Sequence, residues 1–363
     1  MEALILNQKF ELVTVVDVFE SFIWTDRFRE CGDFELYMAY DSYLMQFLMP
    51  DNYIVIEESD RMMIIEQCSI DTDAETGIHL TVTGRSIESI LDRRIVWGQI
   101  NLVGNFQDKI EELMNACVIK PSDNNRKIDN IVFKRSADPR ITGLKIDAQY
   151  TGDNLYDIIQ TTCEERGVGF KMVVNKDNQF EFSLYVGEDR TYDQSENAYV
   201  EFSPSFDNIL NSNYLESKKS YKSVAFVAGE GEGSERKTVS VGDTSLIGMD
   251  RRELFVDARD ISSNVSETNS AGESVSKTLT DSEYKALLTT RGTEKLAENT
   301  TVCSFEGEAD ATGMFKYGVD FNIGDAVQIV NEFGMEGSAV ISELIISQDA
   351  NGISIYPTFD NVI

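Results

Sequence analysis

Apolar and polar residues alternate along residues 1–98, a pattern that indicates short strands. Apolar side chains share one face of two such strands: Phe34, Leu36, Met38 and Tyr40 in the first, and Ile78, Leu80 and Val82 in the second. Residues 53–58 and 62–70 form two further apolar runs, and the short break between them is typical of a hairpin. A short helix with Ser86 as its N-cap closes the segment. We predict a small β-barrel-like module over residues 1–98.

The spacing of apolar residues changes to a helical period in residues 99–200. One predicted helix begins at the cap Asn105 and has an apolar face made of Phe106, Ile110, Leu113, Met114 and Cys117. A second has an apolar face made of Leu155, Ile158, Ile159, Thr162 and Cys163, and Gly167 is placed to end it. Residues 170–174 and 179–186 form a hairpin with alternating apolar residues. This stretch is predicted to be an α+β module.

Strand patterns return after residue 200 and flank a more polar segment. Residues 221–228 and 235–241 lie on either side of a glycine-rich tip, and three more strand patterns follow residue 324. Between them, Thr280 and Glu283 have the spacing of a helix capping box. We predict a second β-barrel-like module split into residues 201–245 and 301–363 around a helix-containing insertion at 246–300. The predicted fold class is mainly β, with two β modules and one mixed α/β module.

The charge of the chain argues against a nucleic-acid binder. There are 63 acidic and 32 basic residues, a formal net charge of −31. Proteins that bind phosphate backbones need a local excess of Lys and Arg, but the largest basic doublets are Arg93-Arg94 and Lys218-Lys219. The acidity can serve solubility alone or a specific function, and the sequence leaves both open.

Two further features bear on the cellular setting. The chain has no run of about 18 apolar residues, and its first residues resemble a strand more than a signal peptide. The five cysteines are scattered through apolar surroundings without a C-x-x-C pair, which predicts free core thiols formed in a reducing cytoplasm: Cys31, Cys68, Cys117, Cys163 and Cys303.

Candidate catalytic chemistry is sparse. The single histidine, His79, falls on the polar face of its strand and is predicted to be a surface residue. Adjacent carboxylates occur at 57–58, 111–112 and 164–165, but neighbours on a helix point apart. Asp71, Asp73 and Glu75 resemble the start of a calcium loop without its glycine and final glutamate. The glycine-rich run 229–233 lacks a following helix and Lys-Ser/Thr. We predict no catalytic, cofactor-binding or metal-binding residue.

A chain with these properties is expected to act through its surfaces. Two other classes stay open: part of a cell-wall hydrolase, and a carbohydrate-binding module for the host envelope. A hydrolase needs a histidine or paired carboxylates in a cleft. A sugar-binding module usually exposes tryptophan or tyrosine on a strand face, whereas Trp24 and Trp97 lie in ordinary apolar contexts.

Six stretches, in this order, resemble a known family. They are GDFELYM (32–38), GRSIESILDRRIV (84–96), DNLYDIIQTTCEERGVGF (153–170), FSPSFDNILNSNYLESKKSYKSVAFVAGEGEGSERKTV (202–239), RRELFVDARDIS (251–262) and YGVDFNIGDAVQIVN (317–331). The set resembles the hub proteins at the tail tip of siphophages, the region that begins many tail-associated lysins. That fold is similar to the baseplate hub of contractile phages and has two β-barrel modules, the second of them split.

The resemblance also implies an assembly and a location. Such hubs form a homotrimeric ring in which six similar barrels adapt a sixfold tail tube to a threefold tip. Implied partners are the distal tail protein ring, the C-terminus of the tape-measure protein and a tail-tip fibre or receptor-binding protein. No stable nucleic-acid binding, membrane span or cofactor is implied. The protein is expected in the virion, after synthesis in the host cytoplasm. The C-terminal peptidase or carbohydrate-binding extension of some relatives is expected to be absent.

Overall fold

The computed structural model of this chain describes all residues except 76, 207, 209–211, 269–273, 308–313, 331–335 and 361–363. Strands form most of its regular structure, so the predicted mainly β class with an α+β part is confirmed. Within the described residues, no helix combines the length and apolar character needed to cross a membrane.

Seven strands form from residues 1–98: β1 (Ala3–Leu6), β2 (Leu12–Val16), β3 (Ser21–Arg27), β4 (Asp33–Ala39), β5 (Tyr53–Val55), β6 (Met63–Asp73) and β7 (Gly77–Ser86). β5 and β6 pair antiparallel, which confirms the predicted hairpin. Leu36 on β4 lies opposite Val82 on β7, and both are fully buried as the alternation predicts. Tyr40 and Ile78, at the ends of the same apolar faces, are exposed.

Ser86 precedes a 3₁₀ helix (Ile87–Arg93), and its side chain does not cap that helix. Its hydroxyl oxygen instead accepts the N–H of Gly32 at 2.8 Å, just before β4. The predicted N-cap position is confirmed, but the side chain makes no capping hydrogen bond because a partner distant in sequence occupies the oxygen.

Residues 99–200 alternate strands and helices: β8 (Gln99–Asn105), α1 (Phe106–Met114), β9 (Ile131–Lys134), α2 (Pro139–Thr142), β10 (Lys145–Thr151), α3 (Leu155–Glu165), β11 (Gly169–Val174), β12 (Phe180–Tyr185) and β13 (Asp189–Arg190). Asn105 caps α1 by accepting the N–H of Asp108, as predicted. Gly167 has a φ of +67°, the left-handed conformation that ends α3. β11 and β12 form the predicted hairpin.

The described part of residues 201–360 has eleven strands, one α-helix and three 3₁₀ helices (Pro204–Phe206, Gly233–Glu235 and Gly248–Asp250). The strands and the α-helix are β14 (Glu201–Phe202), β15 (Ser212–Ser217), β16 (Val224–Ala228), β17 (Thr238–Gly242), β18 (Glu253–Asp257), β19 (Asn264–Thr268), β20 (Ser274–Thr278), α4 (Asp281–Ala297), β21 (Val302–Gly307), β22 (Ala326–Val330), β23 (Glu336–Asp349) and β24 (Gly352–Asp360). The predicted hairpins β16–β17 and β23–β24 are both present. The capping box of Thr280 and Glu283 begins α4 with both of its hydrogen bonds.

A single fourteen-stranded sheet joins the two β-rich ends of the chain. Its main path runs β15-β21-β24-β23-β3-β4-β7-β6-β5-β1-β2, and β22, with β13 and β14, branches from β23. β3 and β23 pair antiparallel, with the fully buried Trp24 opposite Ile346. β15, before the insertion, pairs with β21, after it. The first β module therefore continues directly into the sheet of the second.

The described residues of 224–297 form a unit of their own, here called the insertion unit. β17, β16 and β18 make a three-stranded sheet, and α4 packs on one face through the core shared by Ala225, Val227 and Leu288. The predicted grouping placed residues 221–245 with the second β module, whereas β16 pairs in parallel with β18 of the insertion. β16 lies in this sheet because its apolar residues are buried against α4. The exact module boundaries stay a prediction.

Candidate assembly interface

β13 and β14 form an edge beside β22, and the main path of the fourteen-stranded sheet ends in two further free edges, β2 and β15. Among the described residues, each pairs with one neighbour, β1 and β21 respectively. A free edge presents unpaired N–H and C=O groups, which readily pair with another strand. Apolar side chains on both strands reach solvent: Leu12 is 57% exposed, Val15 37% and Leu215 48%. β2 also lacks the charged residues and prolines that usually protect an edge. Both edges are suited to contact another chain.

A buried ion pair ties the first β module to the α+β module. Nη1 of Arg61 lies 2.5 Å from Oε1 of Glu88, and both side chains are almost inaccessible to water. Oε1 of Glu88 also accepts the N–H of Met172 on β11 at 2.7 Å. Nη2 of Arg61 donates to the hydroxyl of Tyr185 on β12 at 3.2 Å. Both partners of the pair therefore also bond to the hairpin of the α+β module.

Asp26 on β3 belongs to the same buried cluster. Its carboxylate accepts hydrogen bonds from Nε1 of Trp24 at 2.9 Å and from the hydroxyl of Ser59 at 2.6 Å. Burial raises the pKa of Asp26, while the charge of Arg61 acts against that shift. The hydrogen bonds and ion pairs of this cluster join β3 to the hairpin of the α+β module, so its geometry supports packing between modules.

His79 is buried, which corrects the predicted surface position. Only 8% of the residue is exposed. Its ring stacks on Tyr37 at 5.0 Å between centroids, and Nε2 lies 2.9 Å from Oε1 of Glu20. Tyr37 and Glu20 cover the polar face of β7 at this point, so the ring is enclosed by local packing.

The adjacent carboxylates at 111–112 contact different basic residues. Glu111 contacts Arg135 and Glu112 contacts Lys109, so the two acids are held by different bases. In the part of the chain that the structure describes, no three acidic, cysteine or histidine side chains are grouped to hold a metal ion. Asp73 Oδ1 accepts the N–H of Glu75 in an exposed turn after β6.

Thiol positions agree with the predicted free cysteines in most cases. Cys31, Cys117 and Cys163 are buried, Cys68 is half-buried, and all four are unpaired. Burial raises the pKa of the Cys117 and Cys163 thiols, which keeps them protonated at neutral pH. The side chain of Cys303 lies outside what the structure describes.

The sequence pattern does not predict which aromatic residues are exposed. Trp97 is 76% exposed, with the guanidinium of Arg126 5.5 Å from its ring centroid, whereas Trp24 is fully buried. Phe226 and Phe255 lie side by side on the open face of the insertion sheet. Their local sequences are apolar on both sides, so the alternation that separates buried from exposed positions is lacking. The glycine-rich run 229–233 lies in the β16–β17 connection, as predicted.

Comparison with known proteins identifies the family. Residues 2–359 match the family described as Siphovirus ReqiPepy6 Gp37-like protein. The chain belongs to this family. No sequence among curated proteins matches it. The siphophage tail-tip resemblance of the six motifs is thereby confirmed, and the Gp37-like protein is a phage tail protein of the virion.

Three solved structures share the fold of this Gp37-like protein. The prophage MuSo2 43 kDa tail protein from Shewanella oneidensis has a TM-score of 0.57 at 14% identity, covering 99% of this chain and 98% of its own. The tail protein from Neisseria meningitidis MC58 has a TM-score of 0.56 at 12% identity, covering 99% and 96%. Prophage tail protein gp18 from Listeria monocytogenes EGD-e has a TM-score of 0.54 at 13% identity, covering 99% and 94%. At these identities the likeness concerns the fold alone.

Proposed function

We propose that this Gp37-like protein is the hub subunit of a siphophage tail tip and assembles into a closed homotrimeric ring. The observation that carries the proposal is the pair of free edges, β2 and β15, at the two ends of the main path of one sheet. A free edge at each end of the sheet supports head-to-tail contacts, and such contacts satisfy every copy only when the ring closes. Two β-rich regions per chain supply six related positions around a threefold axis.

The ring closes the end of the tail tube and joins it to the tip. Its partners are the distal tail protein ring above, the C-terminus of the tape-measure protein inside, and a fibre or receptor-binding protein below. The net charge of −31 per chain suits a conduit for DNA, because an acidic wall repels phosphates as the DNA passes. The protein has a structural and not an enzymatic role.

The molecular mass of the protein in solution tests whether the chain forms a trimer. At about 1 M salt, where charge repulsion is screened to roughly 3 Å, sedimentation equilibrium is expected to show a trimer. Leu12→Asp on β2 and Leu215→Asp on β15 each place a charge in the contact and are expected to give monomers. Val18→Asp adds the same charge at a 75% exposed position beyond β2, and is expected to remain trimeric.

Circular dichroism of each variant separates loss of assembly from loss of folding. A wild-type protein that stays monomeric at high salt would contradict the self-closing ring. A trimer that persists in both folded edge variants would contradict the role of the edges. Negative-stain images of the wild-type ring are expected to show six similar lobes.

Trp97 favours one second candidate, a carbohydrate-binding surface for the host envelope. Its ring is 76% exposed and Arg126 lies over it, an arrangement in which a sugar ring can stack on the free face. Binding of purified host cell-wall polysaccharide that is lost in Trp97→Ala and kept in Val103→Ala would support this candidate. Val103 is also exposed on the adjoining strand β8, so it controls for a general loss of apolar surface.

A further inference from the structure

The insertion unit has an apolar core separate from that of the α+β module. Polar contacts link the two where α4 meets β10. The N–H of Ser262 donates to Oε1 of Gln149 at 3.0 Å, and Nη2 of Arg291 donates to the carbonyl oxygen of Gln149 at 3.3 Å. Units with separate cores and a polar junction can move relative to each other. The insertion unit therefore has the construction of a movable part.

Glu294 on α4 lies at the centre of this junction and is only 3% exposed. Its Oε1 accepts the hydroxyl of Tyr150 on β10 at 2.5 Å. Its Oε2 lies 3.7 Å from Nε of Arg291, beyond the range of a hydrogen bond. Nη1 of Arg291 is itself engaged by Asp260 at 3.1 Å. An ionised Glu294 is thus only partly compensated while the junction is closed.

The other charges around Glu294 come from each element packed against it. Tyr150 faces it from β10 and Arg291 from its own helix, while Glu165 and Arg166 act on it from the end of α3. The negative charges of Asp153 and Asp260 also attract Arg291, so Arg291 lowers the pKa of the Glu294 carboxyl less strongly. Asp157 and Glu164 of α3 line the cleft beside Glu294, together with Lys295 and Glu298, which pair with each other nearer the surface. Among the described residues, the cation within ion-pair range of Glu294 is Arg291, and Asp260 shares it.

We propose that Glu294 is a proton-operated latch, which holds the insertion unit against the α+β module when protonated and loosens it when ionised. Opening the junction exposes the carboxyl to water, where its charge is stabilised. Closing it again removes that water. The position of the insertion unit then depends on pH, while the fourteen-stranded sheet stays unchanged.

The direction of the effect follows from the pKa of Glu294. Burial raises it to about 7 from 4.5, against the opposing hydrogen bond of Tyr150 and charge of Arg291. A group whose pKa is raised in the closed form stabilises that form fully below the usual pKa. The stabilisation is lost as the pH rises through the closed-form pKa. The closed-to-open ratio is expected to fall on the order of 100-fold between about pH 4.5 and pH 7.5.

Hydrogen exchange at the Ser262 amide reports opening, because this N–H bonds across the junction to Gln149. In the full chain, its protection, corrected for the intrinsic effect of pH, is expected to fall steeply over that range. Glu294→Gln keeps the shape and removes the titration, so protection is expected to become independent of pH. Glu298→Gln, one turn further at the surface, is expected to retain the wild-type profile.

Tyr150→Phe gives a second, directional test. The Tyr150 hydrogen bond lowers the pKa of Glu294, so its removal is expected to move the midpoint of the profile to higher pH. A flat profile in the wild-type protein would overturn the latch. So would a Glu294→Gln protein that folds, as shown by circular dichroism, and keeps the pH dependence. A midpoint that moves to lower pH in Tyr150→Phe would likewise contradict it.

Discussion

Arg61 and Glu88 show what a buried charge does in this fold. Removing both groups from water costs several kcal/mol per ion, and their attraction offsets this cost only where the remaining polar atoms also find partners. Met172 and Tyr185 of the α+β module supply some of these partners. The pair therefore contributes more to the orientation of two modules than to net stability.

Replacing one member of this pair is expected to be strongly destabilising. Arg61→Leu leaves the Glu88 carboxylate buried without its counter-charge, and we expect a loss of about 3–5 kcal/mol in the free energy of unfolding. The double variant Arg61→Leu/Glu88→Gln removes the orphaned charge and is expected to recover most of the loss. Urea unfolding monitored by Trp24 fluorescence measures both.

The exposed ion pair of Arg85 and Glu66 is the matched control. Arg85→Leu removes an ion pair at the surface, which usually contributes about 1 kcal/mol or less. If Arg61→Leu were no more destabilising than Arg85→Leu, the buried pair would not hold the modules together.

The helix α4 is stabilised by a capping box at its start and by tertiary packing along its length. Thr280 and Glu283 satisfy backbone donors at the first turn. Tyr284, Leu287 and Leu288 then bury against the insertion sheet. The helix α4 therefore shields one face of that sheet from water. The stability of the helix and the stability of the insertion unit are coupled for this reason.

Thr280→Ala is expected to destabilise the insertion unit by about 1 kcal/mol, because the cap oxygen is lost. Thr280→Ser retains the oxygen and is expected to behave almost as the wild-type protein. Hydrogen exchange of the α4 amides measures the difference. Equal exchange in the alanine and serine variants would show that the capping box does not limit opening of α4.

At the scale of the whole molecule, charge opposes the assembly that the sheet edges favour. Each chain has a net charge of −31, so three chains repel one another in a ring. The trimer fraction is expected to rise as the Debye length falls from about 10 Å at 0.1 M salt to about 3 Å at 1 M. Analytical ultracentrifugation across this range measures it. A trimer that dissociates with salt would show that ion pairs between chains dominate.

The same charge predicts that the protein does not retain DNA. Binding to phosphates depends on local groups of Lys and Arg, whereas 63 acids face 32 bases here. A gel-shift assay at physiological salt is expected to show no complex with double-stranded DNA. Tight binding that weakens steeply with salt would reveal a basic surface and contradict the repelling conduit.

Local signals in the sequence were sufficient for elements whose causes lie within a few residues. Asn105, Gly167 and the Thr280–Glu283 box mark helix ends because each acts on its own backbone. The hairpins β5–β6 and β23–β24 follow from alternation interrupted by a short turn. Ordered motifs along the chain were likewise enough for the family, since they span most of its length.

Contacts between distant segments determine the remaining features, which are the pairing of distant strands and the burial of individual side chains. β3 pairs with β23 more than 300 residues later, and no local pattern specifies that partner. His79 is buried because Tyr37 and Glu20 cover it, although its strand predicts a polar face. Trp97 is exposed and Glu294 enclosed for the same reason: neighbours brought together by folding determine how much water reaches a side chain. Both the assembly edges and the latch depend on such neighbours.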